Sequence, residues 1–150
     1  MADILTALNR SMAVIEFTLD GKILTANPNF LAVVGYGAEE LKGQHHRMFV
    51  AGQEAAGSEY RQFWQRLAQG QADAGQYKRV GKGGREIWLQ ASYNPILDAS
   101  GRPYKVVKYA TDVSAEVLRE PEIVSDRLAP TVLLSDAPTL TLRLAPTVLL

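Results

Sequence analysis

The chain has 150 residues, 47% hydrophobic and 21% charged, which suits one folded domain with its own core. Sixteen basic residues balance sixteen acidic ones, and this neutral charge argues against binding nucleic acid or an anionic membrane. Without cysteine there are no disulfides, thiolate metal sites, thiol nucleophiles or cysteine-linked flavin photochemistry. No secretory signal and no apolar run of about 20 residues is visible, so we expect a cytoplasmic protein that does not enter a membrane.

The first predicted elements are a flanking helix and a hairpin. Residues 1–11 are expected to be helical, and the domain to span residues 12–114. Two short β-prone runs, Ala13–Phe17 and Ile23–Ala26, are joined through Asp20-Gly21, a step that tolerates the positive φ of a tight turn.

Helices are predicted next. Asn27-Pro28 is a typical N-cap followed by proline in the first turn, and Gly35 ends that helix. A second helical turn, Ala38–Lys42, ends at Gly43. The longest helix begins at Ser58 and ends at Gly70, and its apolar residues are spaced as one stripe: Tyr60, Phe63, Trp64 and Leu67.

Three strands complete the predicted domain: Ala74–Val80, Glu86–Leu97 and Tyr104–Val113. The middle strand alternates apolar and polar residues, as a strand with one buried face does. The order predicts an α+β fold, a five-stranded antiparallel sheet with short helices on one face.

The C-terminal part has a different composition. All glycines and aromatic residues precede residue 121, and Arg127–Leu134 is repeated identically as Arg143–Leu150. Residues 115–120 could begin a linker helix, which Pro121 stops. We expect residues 121–150 to be an extended, repetitive tail, either an engineered or recombined interaction segment or a read-through.

Several sequence motifs of the predicted domain resemble those of a known family, the PAS sensor domain. These motifs are Asp20–Asn27, Glu40–Gly43, Gly81–Trp88, Tyr93–Ile96 and Thr111–Ser114. Gly43–Phe49 and Lys105–Asp112 are most similar to PAS modules of bacterial methyl-accepting chemotaxis proteins, although Ala51-Gly52 stands where those carry Asp-Pro.

The resemblance implies a pocket between sheet and helices that holds haem, a flavin such as FAD, a small metabolite or nothing. It also implies that changes in the pocket or dimer interface pass through Asp112, Val113 and Ser114 into a following helix. The expected partners are a second copy of the chain and a small ligand. We also expect, from the resemblance, that the natural effector domain is not part of these 150 residues.

His45 and His46 are the candidate cofactor ligands. A neutral imidazole suits haem iron, and adjacent helical side chains diverge by about 100°, so only one of the pair can face a pocket. The alternative is a structural histidine pair beside Arg47. Zinc is disfavoured because no third ligand is near.

Three further residues are candidates. Trp64 could stack on a flavin or pack in the core, and Asn29 could hydrogen-bond a ligand. Trp88 alternates away from Ile87 and Leu89, which predicts an outer-face position at an interface.

No nucleophile–base set is visible, so we expect no enzymatic activity. The leading hypothesis is a chemoreceptor-type sensory module that binds a ligand or cofactor and relays the change. The alternative is a ligand-free dimerisation or assembly module that uses the tail.

Overall fold

The computed structural model describes residues 2–119, so the tail predicted over residues 121–150 lies outside the described residues. Within them, the helices are α1 (Ala2–Ser11), α2 (Pro28–Val34), α3 (Ala38–Leu41), α4 (Gly52–Ala55), α5 (Ser58–Ala68) and α6 (Ser114–Val117). The strands are β1 (Ala13–Phe17), β2 (Ile23–Ala26), β3 (Asp73–Val80), β4 (Glu86–Leu97) and β5 (Pro103–Asp112).

The five strands form one antiparallel sheet in the order β2-β1-β5-β4-β3, which confirms the predicted α+β fold. β5 is the central strand, between β1 and β4. In its register, Lys108 is opposite Ile15 on one side and Tyr93 on the other. Alternate residues of a strand face the same way, so these three side chains share one face of the sheet. We call this the inner face.

The hairpin turn forms as the Asp20-Gly21 step predicts. Gly21 has φ = 95°, and a Cβ there would lie 2.6 Å from Nε2 of His45. The turn therefore needs glycine both for its backbone conformation and for the close approach of a histidine.

The first helix of the core also follows its sequence signals. Asn27 caps α2 by accepting a hydrogen bond from the Phe30 amide at 2.9 Å, Pro28 occupies the first turn, and Gly35 ends the helix at φ = 80°. In the described residues, three short elements were not predicted: a 3-10 helix over His46–Phe49, α4, and a 3-10 turn over Lys82–Gly84.

The core lies between the inner face of the sheet and the helices. Tyr60, Trp64 and Leu67 of α5 are buried there, as the helical stripe predicts, together with Phe17 and Phe49. Burying side chains of this size supplies the main stabilisation of such a domain.

The chain divides after Val113 into two units, and the structure describes residues 2–113 of the first and 114–119 of the second. The first closes with the Val113 amide donating to the Trp88 carbonyl at 2.8 Å. The described part of the second begins with α6. Among residues 2–119, no helix has the length and apolar character needed to cross a membrane.

Candidate functional site

The two adjacent histidines are held by the hairpin turn. The His46 amide donates to the Gly21 carbonyl at 2.8 Å, and the Ile23 amide donates to the Gln44 carbonyl at 2.9 Å. His45 then caps the 3-10 helix, its Nδ1 accepting from the Arg47 amide at 3.0 Å. These backbone contacts turn the imidazole of His46 into the core and leave that of His45 half-buried at the surface.

His46 is completely buried, and both of its ring nitrogens are hydrogen-bonded. Nδ1 lies 2.7 Å from the Tyr60 hydroxyl and Nε2 lies 2.9 Å from the Tyr93 hydroxyl. The Tyr93 oxygen also accepts from the Arg79 guanidinium at 3.0 Å. Four side chains from β3, β4, α5 and the 3-10 helix thus form one buried chain of hydrogen bonds.

The direction of that chain follows from Arg79, which can only donate. The Tyr93 oxygen accepts from Arg79, so we assign the Tyr93 proton to the bond with Nε2 of His46. Nδ1 of a neutral imidazole then carries the proton and donates to Tyr60. Burial, reinforced by the charge on Arg79, holds the pKa of His46 well below its ordinary value, which keeps the ring neutral.

Lys108 is the second buried base of the inner face, with 1% of its surface exposed. Its Nζ lies 4.8 Å from the centre of the Tyr93 ring and 5.7 Å from that of Phe30, which are cation–π distances. Burial, together with the nearby charge on Arg79, holds the pKa of Lys108 well below its ordinary value.

Arg79 is 3% exposed and links this interior to the surface. Its guanidinium lies 5.0 Å above the Tyr77 ring, and its NH1 is 3.7 Å from the carboxylate of Glu54 on α4. The Nε of Arg79 is buried and has no hydrogen-bond partner. We call His46, Tyr60, Arg79, Tyr93 and Lys108 the buried polar cluster.

Six aromatic rings surround the imidazole of His46. Their centres lie 5.3–6.3 Å from the imidazole centre, and the rings belong to Phe17, Phe49, Tyr60, Phe63, Trp64 and Tyr93. The low dielectric of such surroundings strengthens the hydrogen bonds of the cluster and makes any unpaired polar group in it costly.

The histidines as packed do not fit an axial haem ligand. The lone pair of His45 accepts from the Arg47 amide, while its Nε2 lies 2.6 Å from the Asp20 carbonyl oxygen to which it donates. The lone pair of His46 accepts from a tyrosine. Iron binding would require one of these bonds to break. Among residues 2–119, no group of three or more His, Asp or Glu side chains could hold a metal ion.

The other predicted site residues lie in different surroundings. Trp64 packs edge-to-face on Phe17 and His46, with ring centres 5.4 and 5.3 Å away, so stacking on a flavin would require these rings to move. The Asn29 amide donates to the carbonyls of Asn9, Arg10 and Met12 at 3.1–3.2 Å and so fastens the end of α1. Their cofactor contacts stay predictions.

The predicted relay residues follow one another in the chain from the end of β5, and Trp88 lies on β4. Asp112 ends β5 opposite Leu89, Val113 is bonded to the Trp88 carbonyl, and Ser114 begins α6. Trp88 is half-buried on the face opposite to Ile87 and Leu89, and its Nε1 donates to Glu86 at 2.7 Å. Relay and interface roles also stay predictions.

Sequence reasoning missed Arg79 and Lys108. A signal for Lys108 was present, because it is two residues from each of the buried residues Val106 and Ala110 and so lies on the same face of β5. Arg79 is likewise two residues from Tyr77 and lies on the same face of β3. A cation at an inward position of a strand marks a candidate site.

The fold and this interior can be compared with known proteins. The family model described as the PAS fold matches residues 23–110, more than half of the chain. The chain belongs to the PAS-fold family. This confirms the resemblance that the sequence words indicate.

Two curated bacterial proteins are similar to this chain in sequence. The chain is 51% identical over 115 residues to the biofilm dispersion protein BdlA of Pseudomonas aeruginosa, covering 77% of this chain and 28% of that protein. It is 30% identical over 129 residues to a blue-light-activated histidine kinase of Brucella canis, covering 77% and 26%. The chain therefore spans about a quarter of the length of these curated relatives.

A solved structure, the PAS domain of a protein from Colwellia psychrerythraea, superimposes with a TM-score of 0.63 at 18% identity, covering 75% of this chain and 95% of that one. At this identity the likeness shows the fold alone.

Proposed function

We propose that this PAS domain is a non-catalytic sensory input module of the chemoreceptor type, in which the buried polar cluster is the sensing site. The observation that carries the proposal is the cluster itself. Two buried basic side chains and a doubly hydrogen-bonded histidine lie in an interior otherwise made of aromatic and aliphatic side chains. A core selected for stability alone gains little from buried charge, so such groups point to function.

The relay would run along β5. Lys108 places the central strand in contact with the cluster, and four residues later the strand ends at Asp112. A change in the cluster that shifts β5 would alter the hydrogen bond from the Val113 amide to the Trp88 carbonyl, where the sheet ends. Ser114 and α6 follow directly in the chain, so this bond would be the first output of the module.

The ligand would be small. Haem requires a free imidazole lone pair and FAD requires room for a tricyclic ring, and the packed inner face offers neither without repacking. The likeness to a blue-light-activated kinase still keeps FAD as an alternative ligand, and haem remains the alternative that the histidine pair suggests.

Residue-resolved amide hydrogen exchange tests the relay. Lys108→Met removes the amine and keeps an unbranched side chain one atom shorter, and we expect altered exchange of the Val113 amide relative to the Gly35 amide at the end of α2. The matched control is Lys105→Met, on the same strand but on the outer face, where Lys105 pairs with Glu16 at 2.8 Å. Equal Val113 exchange in both variants would refute the relay.

A ligand-free dimerisation module is the second candidate, favoured by the complete packing of rings around His46. In that case the outer face around Trp88 would carry the interaction. Replacing Trp88 by Glu should then reduce the mass of the assembly measured by light scattering, with an unchanged circular dichroism spectrum. An unchanged mass would remove this candidate.

A further inference from the structure

The charges of the buried polar cluster do not balance. Arg79 and Lys108 are 3% and 1% exposed, and in the described part of the chain the carboxylate within 4 Å of the Arg79 guanidinium is that of Glu54. Glu54 is itself 55% exposed, and its distance of 3.7 Å is longer than a hydrogen bond. The carboxylate of Asp73 accepts from the Tyr77 hydroxyl instead.

The cluster also has a buried donor without an acceptor. The Nε–H of Arg79 is buried without an acceptor, although the neighbouring NH2 donates to Tyr93. Nζ of Lys108, with up to three N–H groups, lies over the faces of aromatic rings. A buried N–H that lacks an acceptor costs free energy, which a ligand with acceptor oxygens would recover.

We propose, as an extension of the proposed function, that the ligand of this cluster is a small organic carboxylate that replaces Glu54 at the Arg79 guanidinium. The fork of a guanidinium matches the two oxygens of a carboxylate, and the Lys108 amine, 4.8 Å from the centre of the Tyr93 ring, is a second N–H donor of the cluster. Glu54 already presents the same chemical group at the rim. Because α4 has four residues and its Glu54 side chain is half in solvent, that carboxylate can leave without disturbing the sheet.

A neutral or cationic ligand would not meet these requirements. It would leave the Arg79 guanidinium without a buried counterion, and a cation would be repelled by that guanidinium. The neutral His46 and its tyrosines add hydrogen-bonding groups but no charge, so they do not alter the preference.

Isothermal titration of the full chain tests the proposal, with acetate, lactate, succinate and benzoate as probes and the matching amides as uncharged controls. We expect at least one carboxylate to bind at millimolar concentration or better and its amide at least tenfold more weakly. Glu54→Gln removes the internal competitor and should tighten binding roughly two- to fivefold, the range that a half-exposed ion pair supports. Glu59→Gln, an exposed carboxylate at the start of α5, should leave the affinity unchanged.

The guanidinium is tested separately. Arg79→Met should weaken binding at least tenfold, because it removes charge-assisted hydrogen bonds. If that variant does not fold, Arg79→Lys keeps the charge but loses the fork, and it should also bind more weakly.

The outcomes separate this proposal from the proposed function. No binding of any carboxylate to the wild-type chain or to Glu54→Gln would overturn the ligand class. If exchange of the Val113 amide still responds to Lys108→Met, the sensory role would stand without the carboxylate ligand. If exchange does not respond, both the sensory role and the ligand class would be refuted. Equal binding of carboxylates and amides would likewise overturn the carboxylate.

Discussion

Removing the Tyr93 hydroxyl is the sharpest perturbation of the buried polar cluster. Tyr93→Phe keeps the ring, and with it the edge contacts to Phe63 and Tyr77 at 4.9 and 5.2 Å, so no cavity is created. It deletes the hydroxyl whose oxygen accepts from Arg79 at 3.0 Å and whose proton is donated to Nε2 of His46, 2.9 Å from that oxygen. The change therefore isolates two hydrogen bonds.

The expected loss follows from those bonds. A hydrogen bond to a charged group contributes about 1.5–3 kcal/mol, and a neutral one about 1 kcal/mol. Both partners stay buried without an alternative, so we expect the free energy of unfolding to fall by about 3 kcal/mol. This is a large part of the 5–15 kcal/mol typical of a domain.

Urea unfolding followed by circular dichroism measures the effect, with Tyr104→Phe as control. Tyr104 lies on β5 with 52% of its surface exposed, and its substitution should change the free energy of unfolding by less than about 0.5 kcal/mol. If Tyr93→Phe also stays within about 0.5 kcal/mol of the wild type, the Tyr93 hydroxyl does not hold the cluster together.

Three further predictions concern the same interior. Lys108→Met should raise the free energy of unfolding at pH 7 by about 1–4 kcal/mol in urea titrations, because the folded interior disfavours the charge that Lys108 carries in the unfolded chain and an apolar side chain avoids this cost; a loss of stability would show that Lys108 is well paired. Acid should destabilise the fold, because below about pH 6.5 the unfolded imidazole of His46 takes up a proton while the folded one stays neutral. The free energy of unfolding should then fall as the pH drops, with a slope approaching about 1.4 kcal/mol per pH unit, and His46→Phe should remove this slope. Identical slopes in urea titrations of the wild type and His46→Phe from pH 7 to 5 would contradict this. Added haem should give no protein-bound Soret band, because no imidazole lone pair is free; a band lost in His46→Ala but kept in His45→Ala would restore haem as the cofactor.

The fold could be predicted because its signals are local. The turn at Gly21, the cap at Asn27 and the alternation along β4 each depend on a few consecutive residues, and each appears in the structure where it was expected. The 3-10 helix at His46–Phe49 was missed because it is set by tertiary hydrogen bonds to the hairpin turn rather than by its own sequence.

The site could be predicted only in part, because it depends on contacts between distant residues. His46 lies inward and His45 at the surface, but the helical divergence expected from the sequence is not the cause, because the backbone of His45 is extended. The hydrogen-bond partners of His46 could not be predicted, because Tyr60 is 14 residues away in the chain and Tyr93 is 47 residues away. Pairing them requires the register of β4 and the packing of α5, neither of which a single sequence specifies.

The protonation state of the His46 imidazole is central to the buried polar cluster, and nitrogen-15 NMR of the histidine rings observes it directly. We predict that His46 keeps one protonated and one unprotonated ring nitrogen from pH 8 to pH 5, with its ring proton held in the hydrogen bond to Tyr60. Tyr60→Phe should shift the Nδ1 signal, and Tyr93→Phe the Nε2 signal. A His46 ring that becomes doubly protonated near pH 6.5, or that responds to neither tyrosine substitution, would contradict the buried polar cluster and the functions proposed for it.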